Sequence, residues 1–331
     1  MTKGIDRRML LLAAGVVVFV VLLLVLPVPG TPEATDGDRL VVAVSIVPQA
    51  GFVEAIGGEK VDVLVMVPPG ASPHTYEVTP AQMVKLSRAA MYVKVGSPIE
   101  FELVSMDKLK AANANMRVVD CSRGIHLLEM GEHICDHNHD HDHGHEHSHD
   151  QDHEHEYDHD RDDDHDHVHT GPDPHIWLSV RNAKIMVQNI CAGLAEVDPE
   201  NRAYYEQNCA DYLLELSQLD GEIRDALAEV ENRRFIVYHP AWGYFAHDYD
   251  LVQMAVEQGG TEPDGQYKAR LIDEAREHEI RVVFLSPQYR TREAESIARE
   301  IGGEVGIIDP LAKDFIENMH EVALAMKEAM Q

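Results

Sequence analysis

Short apolar segments alternate with helical ones in two separate stretches of this chain, and that pattern leaves few choices beyond a parallel sheet covered by helices. In the first stretch, strand-like segments at 40–47, 61–67, 91–95 and 117–119 are separated by helix-like segments at 49–56, 79–89 and 98–112. In the second, strand-like segments at 234–238, 251–255, 281–285 and 305–308 alternate with helical ones at 266–278, 291–301 and 312–330. Between the stretches lie two helical patterns. Ile185, Val187, Ile190 and Leu194 carry the first, over 182–195. The second runs over 199–230, with Tyr205, Tyr212, Leu213, Leu216, Leu219, Ile223 and Leu227 mostly three or four residues apart. A helix of about 30 residues is about 45 Å long, too long for one small domain and suited to a strut. The expected fold is therefore α/β: two lobes, each a parallel sheet flanked by helices, joined by one long helix. The expected bounds are 39–198, 199–231 and 232–331.

One segment cannot belong to either lobe. Residues 132–170 hold 14 of the 21 histidines and 15 Asp or Glu against a single Arg161. They supply −14 of the formal net charge of −30. Without apolar periodicity such a run buries no core, and it reads as a solvated loop or a segment that orders on binding. Neutral imidazoles among carboxylates gather metal cations weakly at many sites. The overall acidity excludes nucleic acid as a partner, because phosphates attract Lys and Arg.

The N-terminus points to the compartment. Lys3, Arg7 and Arg8 precede an apolar run of 18 residues from Met9 to Leu26, followed by Pro27-Val28-Pro29-Gly30. The run is near the lower limit for crossing a bilayer and long for a signal-peptide core. With no small-x-small cleavage site directly after it, 1–30 is expected to be an uncleaved anchor or signal, basic end inside. Residues 31–38 then form a tether and the body lies outside. In such a compartment Cys121, Cys135, Cys191 and Cys209 are free to pair. Cys191 and Cys209 flank the turn signal Asp198-Pro199, and Cys121 and Cys135 bracket the entry to the His-rich run. Sequence does not fix the pairing.

Three histidines stand in distinctive settings outside that run. His74 follows a strand in PPGASPHTY, His175 lies in DPHIWL, and His239 follows the first strand of the second lobe in HPAWGYF. Asp309 follows the last strand in IDPL. In open α/β sheets, ligands collect at the carboxyl ends of strands, where His74, His239 and Asp309 are expected. Three imidazoles and a carboxylate suit tetrahedral Zn²⁺, whereas manganese favours more oxygen ligands. Taken singly, each residue has a plainer reading as a capping group or a turn residue. The joint placement, two per lobe, carries the argument. Trp177, Trp242 and Tyr244 are expected to pack around the site.

PGASPHTYEVTP at 69–80, DPHIWL at 173–178, HPAWGYF at 239–245 and IDPLAKDFIENM at 308–319 together resemble the metal-binding solute receptors of zinc and manganese ABC importers. The ZnuA-like zinc-uptake branch is the most similar. The resemblance extends over about 40–330 and includes the His-rich loop. It implies two lobes bridged by a rigid helix with metal in the cleft, His74 and His175 as ligands from the first lobe and His239 from the second. A carboxylate is expected in the third place of manganese-type members, so His239 favours zinc. Asp309 matches a position that is a ligand in some members and is replaced by water in others.

The reading is a zinc receptor that passes Zn²⁺ to an ABC permease. A manganese or iron receptor, or an adhesin or metal-buffering surface protein, shares the scaffold. A zinc hydrolase needs a base beside an open metal site, and the chain has no HExxH pair.

Overall fold

The computed structural model describes residues 39–130, 171–258, 260–289 and 292–331. The expected anchor, tether and His-rich run, with Cys135, lie outside them. Within Leu40–Gln331, which forms one compact unit, the two expected sheets are present, each four-stranded and parallel.

The first sheet contains β1 (Leu40–Val44), β2 (Val61–Val65), β3 (Met91–Lys94) and β4 (Arg117–Asp120), in the order β2-β1-β3-β4. The second contains β5 (Arg234–Val237), β6 (Val252–Ala255), β7 (Val282–Leu285) and β8 (Glu304–Ile307), in the order β6-β5-β7-β8. The two orders are the same. Each sheet reverses direction of travel beside its first strand, which is where the carboxyl ends leave a crevice. The central strands read as nearly unbroken apolar runs, LVVAV and MYVK in one sheet and RFIV and VVFL in the other. That is the composition of strands covered on both faces.

The helices are α1 (Val47–Gly57), α2 (Pro80–Leu86), α3 (Glu100–Ala112), α4 (Val180–Val197), α5 (Arg202–Leu227), α6 (Gly243–Asp248), α7 (Gly265–Glu277), α8 (Arg292–Glu300) and α9 (Phe315–Ala329). Their starts follow from local chemistry. Thr79 and Gln82 form a reciprocal capping box ahead of α2, with Pro80 in the first turn. Ser179 caps α4 through the Asn182 N–H, Asp264 caps α7 and Asp314 caps α9. The sequence pattern misses α6, whose six residues are too few to show a helical period.

The strut is shorter than its pattern suggests. Pro199–Asn201 form a 3₁₀ turn, and α5 proper has 26 residues, about 39 Å of helix. It packs against α1, α4 and α9, so the helix that ends the second lobe in sequence joins the packing of the first. Phe315 at the start of α9 meets Phe52 of α1 edge-on, ring centroids 5.1 Å apart. Gly51 permits this approach, because a Cβ there would lie 2.3 Å from the Lys313 carbonyl oxygen. The largest buried cluster is accordingly continuous from Val42 through Trp177, Leu216 and Trp242 to Met326.

Cys121, Cys191 and Cys209 are buried free thiols. The Cys191 and Cys209 side chains do face each other across α4 and α5, as hydrogen-bonded thiols. Cys121 packs against the Gln49 amide, 3.8 Å away. Among the described residues no helix is long and apolar enough to cross a membrane.

Candidate metal centre

His74 is presented by the loop after β2. Pro68, Pro69 and Pro73 restrict that loop, and it turns on itself through Ala71 N–H to Pro68 O (3.1 Å) and Tyr76 N–H to Ser72 O (3.1 Å). The Ser72 hydroxyl accepts from the His74 N–H at 3.3 Å. Phe101 N–H donates to Pro73 O at 3.0 Å, docking the loop on the first turn of α3. From that turn Glu100 reaches the imidazole, with Oε2 2.6 Å from Nδ1.

His175 is set by the residue two before it. Asp173 Oδ1 accepts from both the His175 N–H (2.9 Å) and its Nδ1 (2.8 Å). Asp173 is itself fixed from behind: its N–H donates to Leu128 O (2.7 Å) and its carbonyl accepts from the Tyr244 hydroxyl (3.1 Å). Gly243 lets α6 come this close, since a Cβ there would sit 2.6 Å from Asp173 Oδ2. Trp177 does pack beside the site, and its indole N–H donates to Pro310 O at 2.7 Å.

His239 lies two residues beyond β5. In this parallel pair, Arg234 stands opposite Val252 and Val237 opposite Ala255. Continuing that register puts residue 257 beside residue 239, and Glu257 Oε2 lies 2.6 Å from His239 Nδ1. Tyr289, from the loop after β7, stacks on the His239 ring with centroids 5.1 Å apart and planes at 22°. Its hydroxyl hydrogen-bonds the Ser72 side chain, so it links the His239 and His74 loops.

All three imidazoles therefore have the same arrangement. A carboxylate is only an acceptor, so each Nδ1 carries the proton and each Nε2 is left with a bare lone pair. Those nitrogens converge: one coordinating atom from each of His74, His175 and His239 lies within 4.8 Å of the others, and His175 Nε2 and His239 Nε2 are 3.2 Å apart. With no proton between them, two lone pairs at that distance repel unless a cation intervenes. Two ligands of one tetrahedral Zn²⁺ at 2.0–2.1 Å stand about 3.3 Å apart, so the donor set fits that ion. Burial holds His239 in its neutral form, pushing its pKa down to about 4 even though the hydrogen bond it donates to Glu257 works the other way. For Glu100, burial raises the pKa, but its hydrogen bonds, led by the one it accepts from the His74 ring, help to leave it lowered.

The structure does not bring Asp309 into this group. Its Oδ1 accepts from the Leu311 N–H and from Gln288 Nε2, both at 2.9 Å, and the three histidines form the cluster without a carboxylate among the described residues. Beside them is a cavity of about 20 Å³ lined by Ser72, Ala241, Gln288, Tyr289, Pro310 and Leu311 among others. That is room for about one water. A larger cleft of about 650 Å³ lies between α1, α5 and the start of α9, lined by Glu54, Glu215, Lys313 and Asp314, with no histidine.

Glu100, Asp173, Glu257 and Gln288 are not assigned to the site by the sequence reading. Asp173 and Glu257 had a signal: one is the Asp of Asp-Pro-His, the other falls out of strand register. Glu100 and Gln288 had none, since only folding brings them to the histidines.

A sequence profile of the family described as zinc-uptake complex component A, periplasmic (ZnuA), matches residues 42–329. The high-affinity zinc uptake system protein ZnuA of Bacillus subtilis is 31% identical over 74% of this chain and 70% of its own length. The zinc-binding protein AdcA of Streptococcus pyogenes is 29% identical over 42% of this chain, and the match spans only 27% of that longer protein. A crystal structure of ZnuA is 40% identical, with a TM-score of 0.75 over 89% of this chain and 100% of that one. A zinc-bound ZnuA mutant lacking residues 138–173 in its own numbering gives the same identity and TM-score.

Proposed function

The chain belongs to the family of periplasmic ZnuA components of zinc-uptake complexes, and we propose that it is an extracytoplasmic receptor that captures Zn²⁺ at His74, His175 and His239 and delivers it to an ABC permease. One observation carries this reading: a ring nitrogen from each of three histidines converges, with His175 and His239 meeting through Nε2, while every Nδ1 is held by a carboxylate. A site of neutral nitrogens suits Zn²⁺ better than an oxygen-seeking ion. Nothing in this arrangement needs to do more than bind. The loops bearing His74 and His239 come from different sheets, so release can occur by moving one loop while α5 keeps the frame.

The His-rich run serves as an accessory gatherer in this proposal. Its flanks are joined, with Met130 N–H donating to Gly171 O at 2.9 Å and Glu129 bridged to Pro172. Metal collected there is handed over next to Asp173, which holds His175. The apolar run from Met9 to Leu26 supports retention at the membrane, which fractionation and N-terminal mass analysis of the native protein would read.

The test is competitive titration of the chain with and without 131–170, the joined flanks making that excision tolerable. One tight Zn²⁺ site is expected to survive the deletion, and to vanish when His74, His175 and His239 are then changed to Ala. A tight site persisting in the triple variant defeats the ligand set. Manganese binding as tight as zinc defeats the metal assignment.

A further inference from the structure

Three histidines leave a fourth coordination position, and the side chain facing the cavity beside them has an unusual deficit. Gln288 Oε1 is buried with no hydrogen-bond partner. Buried amide oxygens are nearly always paired, so such an orphan calls for an explanation such as a ligand or an ordered water. Which end of this amide is the oxygen follows from its neighbour. Asp309 Oδ1 is only an acceptor, 2.9 Å from the other end of the amide, so the donor Nε2 must face Asp309. The oxygen is then the end left over, on a residue that lines the cavity with all three histidines.

We propose that Gln288 completes the metal centre: its Oε1 accepts a hydrogen bond from a water in the fourth coordination position, and Asp309 holds the amide in the orientation that makes this possible. The cavity of about 20 Å³ has room for that one water and little more. Its other walls are mostly apolar, formed by Pro73, Trp177, Ala241, Pro310 and Leu311, so Gln288 is the amide acceptor available there. A neutral acceptor suits a water that keeps both protons, and it leaves charge compensation to Glu100, Asp173 and Glu257 behind the imidazoles. Asp309 thereby acts on the metal through Gln288, and its contact with the Pro310–Leu311 turn holds it in place. Its Oδ1 accepts from the Leu311 N–H, and its carbonyl accepts from Asn318 Nδ2 at 2.8 Å, which pins it to α9. Gln288 and Asp309 are positioning residues in this scheme.

The inference rests on the histidine site proposed above and is tested separately from it. Gln288→Leu, Asp309→Asn and the double variant are made in the full chain, with the 131–170 deletion in parallel. Zn²⁺ affinity is read by chelator competition, coordination by the visible spectrum of the Co²⁺ form, and folding by the Tm of the metal-free protein. Gln288→Leu is expected to weaken zinc about ten- to a hundredfold, the range for groups that orient a metal's ligands. It should shift the Co²⁺ bands and lower the metal-free Tm by no more than the loss of the single Gln288–Asp309 hydrogen bond requires, because the lost oxygen had no partner in that state. Asp309→Asn should weaken zinc less, and the double variant should be no weaker than Gln288→Leu alone. Zinc affinity within twofold of the native protein in Gln288→Leu, with unchanged Co²⁺ bands, overturns the role of Gln288. Additive losses in the double variant overturn the relay through it. Retention of a tight site after loss of all three histidines would instead overturn the reading on which the inference rests.

Discussion

The three imidazoles share one hydrogen-bonding plan but sit at very different depths. His175 and its partner Asp173 have side chains 3% and 4% exposed, and His239 and Glu257 are each 10% exposed. His74 is 20% exposed and its partner Glu100 52%. Two arms of the centre are thus built into the protein, and one reaches it from an open loop. The same carboxylate–imidazole contact is worth more where water cannot replace it. Depth therefore ranks the arms, and the open arm is the natural one to move when metal enters or leaves.

The deepest pair gives the largest expected effect. Asp173→Ala removes the acceptor for both the His175 N–H and its Nδ1, leaving two buried donors unpaired at about 1–3 kcal/mol each. The metal-free protein should lose that stability in urea titration. Zinc should bind about a hundredfold more weakly, because the imidazole is no longer held in the right tautomer. A loss no greater than that of Glu100→Gln would break the ranking. Glu257→Gln should come next, at about tenfold in zinc affinity, with little loss of fold stability, since the amide still offers an oxygen to Nδ1.

The ranking was not legible in the sequence, although most of what it is built on was. Both sheets, their strand count and the long helix follow from apolar periodicity, because strands covered on two faces and a helix with one buried face leave a strong imprint. His74, His175 and His239 stood out through the turns that present them. The partners were harder. Asp173 is local to its histidine, and Glu257 needs the register of β5 against β6. Glu100 is 26 residues from His74, and its arrival depends on α3 docking under the Pro73 turn, which no pattern encodes. The placement of α9 on α5 was hidden for a similar reason: an amphipathic helix records that it is buried, not against what.

The pH dependence of the metal-free protein separates the arms by window. His239 has its pKa lowered to about 4 by burial, against about 6.5 in an unfolded chain. Between those values the unfolded state binds the extra proton, so stability is intact above about pH 6.5 and falls as pH drops toward 4, by at most about 1.4 kcal/mol per pH unit. Glu100 is lowered, so its contribution is present above its unfolded pKa of about 4.3 and is lost only below that. The urea midpoint of the wild type should therefore decline between pH 6.5 and 4.5 more steeply than that of His239→Asn, while Glu100→Gln should follow the wild type there. Equal slopes in wild type and His239→Asn would remove the distinction between the two arms.

The smallest effect should come from Glu100→Gln in zinc binding, and it is the sharpest test of depth as the governing variable. Glu100 makes the shortest kind of contact found in the centre, 2.6 Å to His74 Nδ1, equal to that of Glu257. If distance alone set the value of these contacts, the two substitutions would cost the same. Exposure argues otherwise, because water can take the place of Glu100 on Nδ1 and salt screens what charge interaction remains. A loss of only a fewfold is expected at low ionic strength, shrinking further at 0.5 M salt, whereas the cost of Glu257→Gln should be nearly salt-independent. The dissociation rate should respond more than the association rate, since the open arm is the last to close on the ion and the first to let go.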